Sequence, residues 1–182
     1  KFKTPQMNLK KITLGLLILP ASIWAQVADL NQKIPNDPDV RIGKLENGLT
    51  YYIRKNAKPE KKVDLRMVLN AGSILETDKQ VGLAHFMEHM VFNGTKTFPK
   101  NELISYLQSI GVKFGQHLNA YTSFDETVYF LPIPSDDPVK LDKGFQILED
   151  WAFNANLDAK DIDDERGVVI EEYRTRLGAN ER

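Results

Sequence analysis

Three side chains on one predicted helix have the types and spacing to do chemistry together. His85, Glu88 and His89 form the pattern H-x-x-E-H. At about 100° per residue, with His85 at zero, Glu88 falls at about -60° and His89 at about 40°, so all three project within an arc of about 100°. Two imidazoles one turn apart can grip one ion. Their neighbours Val81, Leu83, Ala84, Phe86, Met87, Met90, Val91 and Phe92 are apolar, which predicts a buried helix. A carboxylate and two imidazoles placed there are costly unless something compensates their polarity. A divalent cation would do so.

Imidazoles with a carboxylate suit zinc best among the common metals, although the spacing by itself also fits Mn or Co. Two nitrogens and a third protein ligand leave a fourth position for water. Zinc lowers the pKa of that water toward about 7, and a carboxylate beside it, Glu88, can take the proton and later deliver it to a leaving amine. The order H-x-x-E-H is the inverted form of H-E-x-x-H, a metalloprotease signature. The third ligand has to come from another element. The last predicted helix carries D-E-R-G-V-V-I-E-E-Y-R from Asp164, in which Glu165 and Glu172 lie about 20° from alignment and Glu171 lies about 100° from Glu172. A solvated charged face would look the same, so spacing leaves the choice among these acids open. Gly167, inside this helix, costs about 1 kcal/mol relative to Ala and predicts close packing against a neighbour.

These residues need a scaffold, and the patterns around them alternate between period two and period 3.6. Leu49, Tyr51 and Ile53 alternate with polar neighbours, as do Val63, Leu65, Met67 and Leu69, with a polar connection over 55–62. They predict two half-buried strands, antiparallel to each other. A further strand is expected from Thr127 to Leu131, ending where Pro132 to Pro138 predicts a turn. The helix with the His pair runs from Val81 to Phe92 and stops at Asn93-Gly94. Leu103, Tyr106, Leu107 and Ile110 mark a second helix between Pro99 and Gly111. Leu141, Phe145, Leu148 and Ala152 mark the apolar face of a third. The last begins near Asp158, where Asp161 suggests a capping box, and runs to about Leu177. The fold class expected is α+β, an antiparallel sheet packed against helices.

Composition narrows the function further. The 182 residues are 42% hydrophobic and 27% charged, with a net charge of -1. That is an ordinary folded domain with no basic field for a nucleic acid backbone. Absence of Cys excludes disulfide scaffolds, thiol catalysis and Cys-type zinc sites. From Met7 the sequence has two lysines, an apolar stretch from Ile12 to Trp24 and Ala25 before Gln26. A basic segment, a short apolar segment and a small residue predict a secretory signal peptide within residues 1–25. The stretch, interrupted by Pro20, is shorter than the about 20 residues of a bilayer-spanning helix, so no stable membrane span is expected after cleavage. The expected localisation is exported, in a periplasm-like compartment.

Several of these segments, in this order, resemble the pitrilysin and insulinase family of zinc metallopeptidases. The resemblance runs from N-G-L-T-Y-Y at Asn47 through G-L-A-H-F-M-E-H-M-V-F-N-G-T-K and N-A-Y-T-S-F-D-E-T-V-Y-F to the final helix. It implies one zinc ion held by His85, His89 and Glu172, with Glu88 as general base and Glu165 as an assisting carboxylate behind the ligands. It implies that the strand at Asn119 and Ala120 pairs with the backbone of an extended peptide substrate, whereas the residues alone also allow Asn119 to fix a turn. His117 matches no ligand position. The activity implied is zinc-dependent endopeptidase cleavage of peptides or unfolded segments. A non-catalytic family member that binds peptides or acts as an interaction subunit is the alternative. Family members are several times longer, which implies that residues 26–182 are the N-terminal part of a peptidase domain. Its partners are then the peptide and the downstream domains of the same protein, and the 182 residues alone are expected to be weakly active or inactive.

Overall fold

The computed structural model describes residues 32–113 and 119–176; the expected signal segment, His117 and Leu177 lie outside them. The chain divides into two compact units between Lys55 and Asn56. The first contains a hairpin of β1 (Val40–Lys44) and β2 (Thr50–Arg54), paired antiparallel with Lys44 opposite Thr50. Its turn is closed by Leu45 N–H donating to the Leu49 carbonyl and by Leu49 N–H donating to Asn47 Oδ1. Gly48 occupies the left-handed region at φ +91° that this turn requires. The sequence patterns predicted β2 to pair with the strand near Val63. It pairs with β1 instead, because a five-residue turn closes that hairpin locally. With Arg41, Gly43 and Lys44 among its five residues, β1 has too weak an apolar alternation to be read in advance.

Among its described residues the second unit is a three-stranded antiparallel sheet with helices. β3 (Lys62–Leu69) pairs with β5 (Thr127–Pro134), and β5 pairs with the short edge strand β4 (Asn119–Thr122). Along β3, Val63, Leu65 and Met67 turn toward the core and Lys62, Asp64 and Arg66 toward solvent, the expected period of two. β5 runs three residues beyond the predicted end, through Pro132 and Pro134. The reason is positional. Ser135 N–H donates to the Lys61 carbonyl, so alternate residues face β3, and both prolines point their missing N–H to the other edge, beyond the end of β4 at Asn119.

Among the described residues four α-helices accompany this sheet: α1 (Leu83–Asn93), α2 (Glu102–Ser109), α3 (Pro138–Phe153) and α4 (Ala159–Arg176). α1 starts at Gly82, φ +90°, and its first turn is capped from a distance: the Glu76 carboxylate accepts from Gly82 and Ala84 N–H, both at 2.8 Å. It is half-buried rather than buried. Met90 and Val91 are enclosed, but Leu83 and Met87 are exposed: α1 packs against α4, β4, β5 and the turn at Ser73–Leu75, and these leave part of its surface open among the described residues. α2 buries Leu103 and Leu107, with Tyr106 and Ile110 beside them, as the pattern predicts.

α3 is capped by Asp137, which accepts from Val139 N–H at 2.9 Å, with Pro138 in the first turn. Its buried face runs through Gly144, Ile147, Asp150 and Trp151, not through Phe145, which is 55% exposed. Gly144 sets that face, since a Cβ there would lie 3.0 Å from Ile133 and 3.1 Å from Leu65. The core joins Leu65, Leu131 and Ile133 of the sheet to Val91, Leu103, Leu107, Ile147 and Trp151 of the helices.

Asp150 is the charged member of the buried set, at 2% exposure. It accepts from Thr95 Oγ1 at 2.7 Å, Thr97 N–H at 3.0 Å, Thr97 Oγ1 at 3.3 Å and Asn154 Nδ2 at 3.0 Å. Together with the bridge between Thr95 and Ala155, these bonds tie the chain leaving α1 to the end of α3. Burial alone would raise the carboxyl pKa, yet the hydrogen bonds from Thr95, Asn154 and Thr97 outweigh it and hold the group below its ordinary value. Asp150→Ala is expected to destabilise the domain by about 3 kcal/mol in denaturant melts of the full-length protein. Because the folded-state pKa is depressed, the stability contributed by Asp150 is complete above pH 3.8 and is lost as pH falls from there through the folded value.

Candidate metal centre

α1 and α4 pack together and bring the residues separated in sequence to one place. His85 Nε2 and His89 Nε2 are 3.3 Å apart, His89 Nε2 is 3.1 Å from Glu172 Oε2, and His85 Nε2 is 3.6 Å from the same oxygen. The three atoms form a nearly equilateral triangle. A tetrahedral zinc with ligands at about 2.0–2.1 Å spaces them about 3.3–3.4 Å apart, so this triangle matches one face of such a site. The imidazole rings meet edge to face at 87°, and the short distances from both Nε2 atoms to Glu172 Oε2 show that they converge. These two His and one Glu, all half-buried, are a group that could hold a metal ion.

Glu171 is not part of this group. Its side chain is directed away, to Arg174 at 3.5 Å, with 65% exposure against 25% for Glu172. The roughly 100° separation of adjacent helical residues accounts for the difference. The outer oxygen of Glu172, Oε1, is engaged by Arg176 one turn on, leaving Oε2 toward the histidines. Gly167 is on the opposite side of α4 from the cleft. A Cβ there meets nothing within 4 Å, so the expected close packing is absent among the described residues. Asp161 also departs from expectation: its carboxylate accepts from Lys100 Nζ at 2.6 Å, which secures the start of α4 to the chain before α2.

Behind the triangle, His89 Nδ1 is 2.8 Å from Glu165 Oε1, and the other oxygen of Glu165 accepts from Asn93 Nδ2 at 2.6 Å. A carboxylate on Nδ1 fixes the ring's orientation and favours the tautomer that leaves Nε2 free to donate its lone pair. Sequence patterns marked Asn93 only as a helix stop. Its signal was nevertheless present, since His85, His89 and Asn93 recur every four residues and therefore share one stripe of α1.

Glu88 lies beside this group in a cleft of about 660 Å³ whose lining includes Phe92, Ile104, Asn119, Ala120, Val168 and Thr122. The Thr122 hydroxyl donates to Glu88 Oε2 at 2.5 Å. Below the cleft, burial pushes the Tyr129 phenol well above its ordinary value, with the nearby Glu88 charge adding to the shift. Tyr129 therefore stays neutral and serves as packing. β4 forms one wall: Asn119 Oδ1 accepts from Ala120 N–H at 2.9 Å, so Asn119 braces the start of the strand while both residues border the cleft. The strand is bonded to β5 on one side, and β5 is its only sheet neighbour among the described residues.

With fold and site in view, the chain belongs to the insulinase family, peptidase family M16, which it matches over residues 51–177. It is 44% identical over 171 residues to the probable zinc protease PqqL of Haemophilus influenzae, covering 93% of this chain and 18% of that protein. The probable zinc protease PqqL of Escherichia coli is 40% identical over 164 residues, which cover 90% of this chain and 18% of that one. The crystal structure of the first half of the periplasmic protease PqqL from Escherichia coli superposes with a TM-score of 0.77 at 41% identity, over 81% of this chain and 31% of that one. The chain thus spans less than a fifth of the length of these two PqqL relatives. No helix among the described residues is long and apolar enough to cross a membrane.

If the triangle holds a metal, its members separate by assay. Glu172→Gln is expected to lose bound metal while Glu171→Gln keeps it. Glu165→Gln is expected to weaken affinity about 10- to 100-fold. Metal content after dialysis and competition with a chelator on the full-length protein measure both.

Proposed function

We propose that this chain carries the metal-holding part of an exported zinc endopeptidase that hydrolyses peptides or unfolded protein segments. The observation that carries the reading is the triangle of His85 Nε2, His89 Nε2 and Glu172 Oε2 with Glu88 beside it, in a cleft walled by an edge strand. Two imidazoles and a carboxylate form a donor set suited to zinc. The relatives described as probable zinc proteases support the same metal. When bound, zinc supplies Lewis-acid chemistry: it acidifies water and stabilises negative charge developing on a peptide carbonyl oxygen.

The remaining work belongs to the chain's own groups. Glu165, steadied by Asn93, orients the His89 ring, and Arg176 holds the outer oxygen of Glu172. Glu88 accepts the proton of the attacking water and passes it to the amine nitrogen as the C–N bond breaks. Asn119 and Ala120 offer the backbone edge of β4 to an extended peptide, which would add as a further strand and present its carbonyl to the cleft. Phe92, Ile104 and Val168 give that cleft an apolar wall.

The basic and apolar segment from Met7 to Ala25 supports export, and the periplasmic PqqL protease supports a periplasmic location. Residues 26–182 form the N-terminal part of the peptidase, and downstream domains of the same protein complete the chamber around substrate. That reading predicts little cleavage by the 182 residues alone. In the full-length protein, Glu88→Gln should abolish cleavage of denatured casein while zinc content stays at the wild-type level. Undiminished cleavage by that variant would overturn the assignment of the base.

A further inference from the structure

We propose that Thr122 is the positioning residue for Glu88: the edge strand, rather than the helix, aims the general base. The inference rests on the reading of Glu88 as the base. A glutamate on a helix surface has several staggered rotamers, and nothing in α1 itself selects one. The selection comes from β4. Along this strand Ala120 and Thr122 are half-buried and Asn119 and Tyr121 exposed, so Thr122 turns its side chain toward α1. On the other face Tyr121 lies 5.8 Å from Phe130, which opposes rotation of the strand.

The hydroxyl of Thr122 lies 2.5 Å from Glu88 Oε2, within the range of a hydroxyl donating to a charged carboxylate. A hydroxyl has one proton to donate. With that proton on Glu88, Thr122 has none for the peptide, and it acts through Glu88 alone. The donor is itself well placed. Thr is stiff at its first side-chain torsion. Its backbone is opposite Thr127 in the sheet, Ser123 N–H donates to the Glu126 carbonyl at 2.8 Å, and the Ser123 carbonyl accepts from Ser73 N–H at 3.1 Å. Gly72 admits this last contact, since a Cβ there would lie 2.3 Å from the Ser123 oxygen.

Fixing Oε2 leaves Oε1 as the oxygen that takes part in proton transfer. One O–H bond of the water breaks and its proton goes to Oε1, while the water oxygen bonds to the carbonyl carbon and the C=O π pair moves onto the carbonyl oxygen. As that pair re-forms the C=O bond and the C–N bond breaks, the same proton moves from Oε1 to the amine nitrogen. Because the strand that borders the peptide also bonds the base on α1, the distance between base and scissile carbonyl depends on β4 as well as on the helix.

The test uses the full-length protein and a quenched fluorescent peptide from denatured casein. Thr122→Val preserves shape and β-branching but removes the donor. It is expected to lower kcat about tenfold or more, with KM within about twofold and zinc content unchanged, since misplacing a reacting group is felt in the chemical step. Thr122→Ser, which restores a hydroxyl, is expected to return kcat to within about threefold of wild type. Three results would overturn the proposal: a wild-type kcat for Thr122→Val, equal losses in the Val and Ser variants, or a loss of zinc that accounts for the loss of rate. Glu88→Gln is measured alongside. If it is inactive while Thr122→Val is fully active, the proposal about Thr122 fails and the base stands; if Glu88→Gln is fully active, the base itself is wrong.

Discussion

Everything at the candidate centre depends on His89 having a carboxylate on each side of its ring. Glu165 meets Nδ1 at 2.8 Å and Glu172 meets Nε2 at 3.1 Å. A half-buried cluster of two imidazoles and two carboxylates, with Glu88 near it, gathers lone pairs and negative charge in one place, which is unfavourable without positive charge to balance it. A divalent cation on the Nε2 side would answer that demand, and the contact on the Nδ1 side fixes the orientation of the ring. Because both acids come from α4, the position of that helix against α1 decides whether the centre exists at all.

Much of the unit can be understood as a means of holding those two helices in register. Glu76 caps the start of α1, and Asp150 ties the chain beyond its end to α3. Lys100 bonds Asp161 in the first turn of α4. Gly144 lets α3 come close enough to the sheet for Ile147 and Trp151 to seal the core. Rigid supports of this kind restrict the motion of the donor atoms, so little ordering remains to be done when an ion binds.

The sheet contributes differently. β5 is the central strand, but β4 covers only part of it, and the prolines Pro132 and Pro134 occupy the part that β4 leaves. Among the described residues no other strand pairs with that part of β5 or with the outer edge of β4, and the prolines make the former a poor template for chance pairing. The same short strand puts Thr122 on Glu88. Edge strand, Glu88 and cleft are therefore parts of one arrangement rather than neighbours by accident.

Local sequence was sufficient for the features that depend on a single element. The arc of His85, Glu88 and His89, the alternation of β3, the apolar face of α2 and the α+β class follow from helical and strand periodicity, which any one segment displays. Resemblance over several motifs added Glu172 and Glu165, which helical spacing alone left level with Glu171. What needed the tertiary structure was every relation between elements. The partner of β2, the passage of β5 through two prolines, the turn of α3 that buries Asp150 instead of Phe145, and the half-exposure of α1 all depend on which surfaces meet. So do Asn93 and Thr122, whose roles come from carboxylates on α4 and α1 that approach them only on folding; Arg176, by contrast, meets Glu172 through i,i+4 spacing on its own helix. Periodicity tells which way a side chain points from its own backbone. The distance to what it meets there is set by packing, and hydrogen bonds and metal sites depend on that distance to within a few tenths of an ångström.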